Sequence, residues 1–255
     1  MKANIIGSTL PVLEIELAGS DKIIAEPGEF SWMSDTVQMK TTAFTAGSKG
    51  VWGALSRAFS GGGLFMTEYS APPHGSGKIA FAAKVPGTIL PVDVTAGQTY
   101  LIHRHGFLCA TEGVNLGTGF QRSLGAGIFG GNGFVMQKLT GPCTAWIELG
   151  GEAMIYDLKP GEVLRVHPGH VGMIEGSVNF DVALMRGFAN AVFGGDGLFV
   201  ARLTGPGRVW LQTLTVPNLA HALSPYLGGE SSVGEAAEVG AAGVAGAVLR
   251  GLFKG

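Results

Sequence analysis

The sequence predicts an all-β chain of three tandem β-sandwich units, and three observations carry that prediction. The chain repeats itself at a fixed interval. Its apolar residues alternate with period two inside short runs. Glycine and proline punctuate those runs at regular spacing.

The repeat is clearest between FGGNGFVMQKLTGPCTAW (Phe129 to Trp146) and FGGDGLFVARLTGPGRVW (Phe193 to Trp210), which share nine of 18 positions at an offset of 64. The same offset pairs Gly97 with Gly161, His103 with His167, and Val114 with Val178. A more diverged copy lies upstream. EPGEFSWMSDTVQMKT from Glu26 aligns with HPGHVGMIEGSVNFDV from His167, and FSGGGLFMTEYSAP from Phe59 aligns with FGGDGLFVARLTGP from Phe193. The two offsets, 141 and 134, leave seven extra residues in the first copy, within the stretch containing GSKGVWGALSRAF. The expected boundaries are 12–83, 88–149 and 153–216, with a Gly/Ala-rich extension over 217–255.

Within a copy, SVNFDVAL alternates Val178, Phe180 and Val182, while DGLFVARL and GRVWLQTL are β-branched and aromatic between Gly and Pro. Such runs read as strands, about six per copy. Pro-Gly at 27–28, 160–161 and 168–169 supplies turn chemistry, and Thr-Gly-Pro at 140–142 and 204–206 turns the chain into the last strand. Gly-Gly-Asn-Gly and Gly-Gly-Asp-Gly, at 130–133 and 194–197, suit a hairpin. Only the stretches before these Gly-Gly turns look helical: GVWGALSRAF near 50–59, GFQRSLGAGIF and MRGFANAVF.

Composition narrows the function. Hydrophobic residues are 46% and charged residues only 14%, against roughly 25% charged in an ordinary soluble domain. No run reaches the ~18 apolar residues of a membrane span. Broad subunit interfaces are the simplest place for the excess apolar surface. The net charge of −2 and the lack of a Lys/Arg cluster exclude a general DNA binder and disfavour RNA. The start, MKANIIGSTLPVLEIEL, has neither a signal-peptide core nor a transit-peptide bias, so the expected location is the cytoplasm. Cys109 and Cys143 have no redox or metal spacing, and they align with Met173 and Gly207.

Several motifs invite a catalytic or binding reading. Gly125 to Gly130 spells G-x-G-x-x-G, but a hairpin follows where a dinucleotide loop needs a helix N-terminus. The corresponding residues 189–194 lack the first two glycines, so these glycines are structural punctuation. Glu148 follows, but on the last strand of a repeat. His103 and His105 share a strand face at i, i+2, and His167 and His170 come from the corresponding region of the third copy. A zinc-type site needs three or four convergent ligands. Turn or interface imidazoles are the preferred reading, and a cupin-like metal site is the alternative. Glu68 is a lone carboxylate whose counterparts are Gln137 or Lys138 in the second copy and Arg202 in the third, and an inter-repeat ion pair between carboxylate and arginine is preferred to acid catalysis. No catalytic residue, cofactor or metal ligand is assigned. The tail GGESSVGEAAEVGAAGVAGAVLRGLFKG reads as a flexible extension or as a small-residue helix that docks on a partner, with peripheral membrane contact as the minor alternative.

Glu26-Pro27-Gly28, the insert W-G-A-L-S-R-A-F at 52–59, G-G-G-L-F-M-T-E-Y at 61–69 and the repeated F-G-G-x-G resemble the altered-inheritance-of-mitochondria family over about residues 12–216. The resemblance implies units similar to the trp RNA-binding attenuation protein, assembled into ring-like oligomers, commonly trimers, which would place nine units in a ring. Fungal relatives are linked to the mitochondrial inner membrane, a location not carried over here. The family defines no catalytic residues. The leading expectation is therefore a non-enzymatic homo-oligomeric scaffold. The alternative is a ring-shaped ligand-binding protein, taking a small molecule, or less readily RNA, between repeats.

Overall fold

The computed structural model describes residues 1–44, 64–122, 134–184 and 199–226. The helical stretches expected near 50–59 and 185–193, most of 119–129, and the Gly-Gly turns at 130–133 and 194–197 lie outside these residues. Gly119 to Arg122, expected to open a helical stretch, instead finish a strand. The ladder to β12, with Phe120 opposite Met136 and Arg122 opposite Phe134, holds the backbone extended, and Phe120 packs edge-on to Phe180 with ring centroids 4.6 Å apart.

The chain folds as β structure nearly throughout. After an initial strand β1 (Lys2–Ile6) come β2 (Val12–Ala18), β3 (Lys22–Ala25), β4 (Trp32–Met33), β5 (Gln38–Phe44), β6 (Leu64–Ser70) and β7 (Ser76–Ala82). A second six follow: β8 (Gly87–Val94), β9 (Thr99–His103), β10 (Phe107–Thr111), β11 (Asn115–Arg122), β12 (Phe134–Thr140) and β13 (Cys143–Gly150). The third six are β14 (Ala153–Leu158), β15 (Val163–Val166), β16 (Val171–Glu175), β17 (Asn179–Leu184), β18 (Phe199–Thr204) and β19 (Gly207–Gln212). Gly97 and Gly161 turn the chain into β9 and β15 at φ +84° and +78°, backbone that side chains with a Cβ seldom adopt. Met1–Val216 forms one compact unit and Pro217–Gly255 a second. Helix α1 (Val216–Leu223) spans the boundary, and the described part of the second unit ends in a 3-10 turn at Ser224–Tyr226. No helix among the described residues is long and apolar enough to cross a membrane.

The strands form four antiparallel sheets. The first has the order β1-β2-β7-β4, the second β5-β6-β3-β10-β13-β8, the third β11-β12-β9-β16-β19-β14 and the fourth β15-β18-β17. Both six-stranded sheets are therefore shared. Three strands of one segment meet three of the next through β3·β10 (Ala110 opposite Ile24) and β9·β16 (Ile174 opposite Leu101).

Burial follows from that sharing. One core, with Leu13, Ile15, Phe81, Ile23 and Trp146, fills the space between the first two sheets. A second, with Ile24, Tyr100, Ile147 and Trp210, fills the space between the two six-stranded sheets. A third, with Met136, Val166, Ile174 and Leu203, lies between the third and fourth. Neighbouring Ile23 and Ile24 thus face different cores, and each buries an aliphatic side chain worth about 1.5–3 kcal/mol. A strand covered on both faces carries no polar face, so β10 (FLCAT) reads as an apolar run. The ladder shift between Phe107 and Cys109 also turns Leu108 and Cys109 toward the same core.

Candidate functional site

Among the described residues, charged side chains on the outer strands pair at the surface, as Lys78 does between Glu14 (2.9 Å) and Glu16 (3.4 Å). An exception gathers where the first segment joins the second. Glu26 and Glu29 follow β3, Lys84 lies in the linker from β7 to β8, His103 ends β9, and Gln137 and Glu148 sit on β12 and β13.

Glu148 is the most enclosed of them, only 3% exposed. Its Oε1 accepts the main-chain N–H of Lys84 (2.7 Å) and of Val85 (3.3 Å), so the last strand of the second segment grips the linker that leads into that segment. Its Oε2 is buried without a hydrogen-bond partner among the described residues. Desolvation pushes the Glu148 carboxyl above its usual pKa, Glu29 pushes in the same sense, and the two N–H donors and Lys84 oppose them. The His103 ring donates from Nε2 to the carbonyl oxygen of Glu148 (3.0 Å), which puts the imidazole proton on Nε2. Burial of that ring pulls its pKa down to about 4, so His103 is neutral at physiological pH.

Across the second core, Gln137 Nε2 donates to Glu26 Oε1 at 2.8 Å. Glu26 is also raised, first by desolvation and then by Glu29, against the pull of Gln137, Lys84 and Arg104. Lys84 Nζ approaches Glu29 Oε2 to 2.6 Å. The contact is an ion pair by distance, but the angle is poor for a hydrogen bond, and Oε2 lacks an aligned donor. Gln137 Oε1 is a second enclosed oxygen without a partner among the described residues.

The junction of the second and third segments repeats this clamp with neutral parts. Gln212 occupies the ladder position of Glu148: it faces Ala153 on β14 as Glu148 faces Ile89 on β8. Its Oε1 accepts Gly150 N–H (3.0 Å), its Nε2 donates to Gly169 O (2.9 Å), and its own carbonyl accepts from His170 Nδ1 (2.7 Å). An amide satisfies both ends of the clamp, whereas a carboxylate can only accept.

The residues singled out from the sequence are therefore distributed unevenly. His103 belongs to the first clamp and His170 to the second, with the His167 ring 5.8 Å from that of His170. The His105 pKa is lowered, first by partial desolvation and then by the neighbouring charges of Arg104 and Lys84, although the residue is exposed overall. Glu68 lies 3.5 Å from Lys22 Nζ, which also reaches Glu112 of the second segment at 3.1 Å. That inter-segment ion pair is made by Lys22. Arg202 lies on the fourth sheet, opposite Arg165 and Asp181. The ladder makes Lys138 the counterpart of Glu68, since Glu68 faces Ile24 as Lys138 faces Leu101. No group of three or more His, Cys, Asp or Glu among the described residues is placed to hold a metal. Cys109 is fully buried with its thiol pKa raised well up, and Cys143 is raised to about 11, so neither carries the thiolate of a nucleophile.

Sequence reasoning passed over Glu29 and Lys84, and gave Glu148 no role beyond its strand. One signal was available for Glu148: a polar residue stands in each of the apolar strands TAWIELG and RVWLQ at the offset of 64.

The fold and the site define a protein of stacked antiparallel sheets whose buried polar groups clamp linkers to strands. The chain belongs to the family described as Mitochondrial biogenesis AIM24, whose model matches residues 3–214. A comparison with curated proteins finds no match. Among solved structures, a protein from Streptococcus pyogenes is similar, with a TM-score of 0.69 and 22% identity over 89% of this chain and 99% of that one. At that identity the likeness concerns the fold.

Proposed function

We propose that this chain is a non-enzymatic scaffold of three tandem units similar to the trp RNA-binding attenuation protein, and that copies close into a homo-oligomeric ring. The observation that carries the reading is a pair of complementary sheet edges. Inside the chain, the second strand of one segment pairs with the third strand of the next, twice. At the ends the same two strands are left over: β15 at the edge of the three-stranded sheet and β4 at the edge of the four-stranded one.

Transferring the register of β9·β16 gives the joint. Met173 faces Ile102, Ile174 faces Leu101 and Glu175 faces Tyr100. Trp32 would then face the partner subunit's Val166, Met33 the partner subunit's Arg165 and Ser34 the partner subunit's Leu164. The joined sheet takes the order of the two internal six-stranded sheets, with β1 added. Trp32 is 53% exposed, while Cys109 and Met173, at the same ladder position, are both 0% exposed. A large side chain left open where its counterparts are buried marks a surface that lacks its neighbour. A head-to-tail contact of this kind closes when its rotation divides a full turn. Mass photometry of the purified chain tests the reading, and a stable monomer at micromolar concentration would overturn it.

A second reading, a ligand-binding ring with sites between repeats, is favoured by the enclosed oxygens of Glu148 and Gln137 that have no hydrogen-bond partner among the described residues. A ligand there would have to donate hydrogen bonds. Calorimetric titration with small amines tests it, and no heat of binding would count against it.

A further inference from the structure

The outer side of each segment's first strand, β2, β8 or β14, is finished in a different way. In the first segment, β1 adds to β2 with Lys2 opposite Glu16, Asn4 opposite Glu14 and Ile5 opposite Leu13. In the second, β8 ends its sheet and carries Pro91 and Asp93. Proline has no N–H to offer a further strand, and with an edge charge it is a recognised way to blunt an exposed edge. In the third, β14 also ends its sheet, yet its sequence AMIYDL contains no proline.

The side chains on β14 reinforce the contrast. Ile155 is 52% exposed on β14, while Met154 and Tyr156, 48% and 41% exposed, hold the places of Leu13 and Ile15, which are 0% exposed in a core completed by Ile89, Leu108 and Trp146 of the following segment. Ile155 takes the place of Pro91, since both stand opposite a tryptophan of the next strand, Trp210 and Trp146. The charge row is kept as well. Glu16 stands between Lys2 and Lys78, and Asp157 stands beside Arg208, with Oδ1 2.7 Å from Nε, but has no residue on its outer side among the described residues.

We infer that the β14 edge is a docking site for an extended peptide strand of a partner protein, added antiparallel to β14. The register of β1 on β2 specifies the occupant: a cationic residue opposite Asp157, a small residue opposite Tyr156 and a bulky aliphatic residue opposite Met154. Main-chain hydrogen bonds supply the affinity and the alternate side chains the selectivity, as in other strand additions. The inference rests on reading the three segments as copies of one unit, and it goes beyond ring assembly because the β4–β15 joint can cover the Met154 and Tyr156 face of β14 but leaves its main-chain edge unpaired.

The probe is a fluorescently labelled synthetic peptide, KANIIGS, the sequence of residues 2–8, with a scrambled peptide of the same composition as control. Anisotropy titration against the full chain is expected to saturate for KANIIGS and to be weaker for the scramble. Ile155→Pro places at β14 the residue that β8 already accommodates, so folding survives, and binding is expected to weaken roughly tenfold. Asp157→Lys, on the outer charge row, is expected to weaken it as well. Equal binding by the two peptides, or undiminished binding to Ile155→Pro, overturns the inference. A changed oligomer mass in Ile155→Pro also overturns it, because a second copy would then cover the edge. Failure of the peptide with the oligomer intact leaves the ring reading standing, and a monomer that binds the peptide does the reverse.

Discussion

Glu148 accepts the main-chain N–H of Lys84 at 2.7 Å across 64 residues of chain, so a buried carboxylate holds the linker on which the second segment hangs. Gln212 does the same work for Gly150 with an amide and leaves neither end unbonded.

Replacing the carboxylate by its neutral isostere is therefore predicted to stabilise the protein. Glu148→Gln should gain about 1 kcal/mol near neutral pH, because the charge is removed from a desolvated place while the acceptor is kept. A carboxyl with a raised folded pKa binds its proton more tightly in the folded state. Its contribution to stability falls as pH rises from about 4.5 through the raised value. The melting-temperature advantage of Glu148→Gln should accordingly grow between pH 4.5 and 7. Glu148→Ala, which abandons two buried N–H groups, should lose about 2 kcal/mol.

His103 has the opposite sign. Its folded pKa of about 4 lies below the ordinary 6.5, so the folded state binds fewer protons within that window. The stability it contributes is complete above pH 6.5 and is lost progressively as pH falls through 4, on the order of 3 kcal/mol at most. His103→Gln, which still has an N–H to donate toward Glu148 O, should flatten the acid limb of a thermal-unfolding series. An unchanged limb would place the titrating group elsewhere.

Sharing of the six-stranded sheets predicts that neighbouring residues on β3 serve different cores. Ile23→Ala and Ile24→Ala should each cost about 2–5 kcal/mol in denaturant unfolding, although a strand with one solvated face would make one of them nearly neutral. Lys22→Ala, which cuts the exposed contacts to Glu68 and Glu112, should leave the midpoint within error.

Much of this architecture is written locally, and that part is legible in the sequence. Period-two runs between Gly and Pro locate the strands, and the offset of 64 aligns β9 with β15 and β13 with β19. The exchange between segments is not legible, because Ala110 meets Ile24 through pairing 86 residues apart, which no local pattern encodes. Gly119 to Arg122 misled because the strand there is set by its ladder to β12, with Phe120 opposite Met136 and Arg122 opposite Phe134, rather than by its own glycines and polar residues. His103 and His105 looked like a pair at i, i+2, but one ring turns in to a carbonyl while the other stays exposed. Glu29 and Lys84 carried no periodic signal, since they lie in a loop and a linker whose meeting depends on the fold.

Trp32 should separate assembly from folding. Trp32→Lys alters a side chain that is half exposed within one chain, so the melting transition of its cores should persist while the particle mass falls. Loss of folding in step with loss of mass would mean that the single chain is not stable alone.

Particle mass in dilute solution tests the central claim most directly. Closure through β4 and β15 predicts one discrete species at an integer multiple of 26.3 kDa, three for a trimer, unchanged on dilution through the micromolar range. A stable species at 26.3 kDa, or a ladder of masses that grows with concentration, would contradict it.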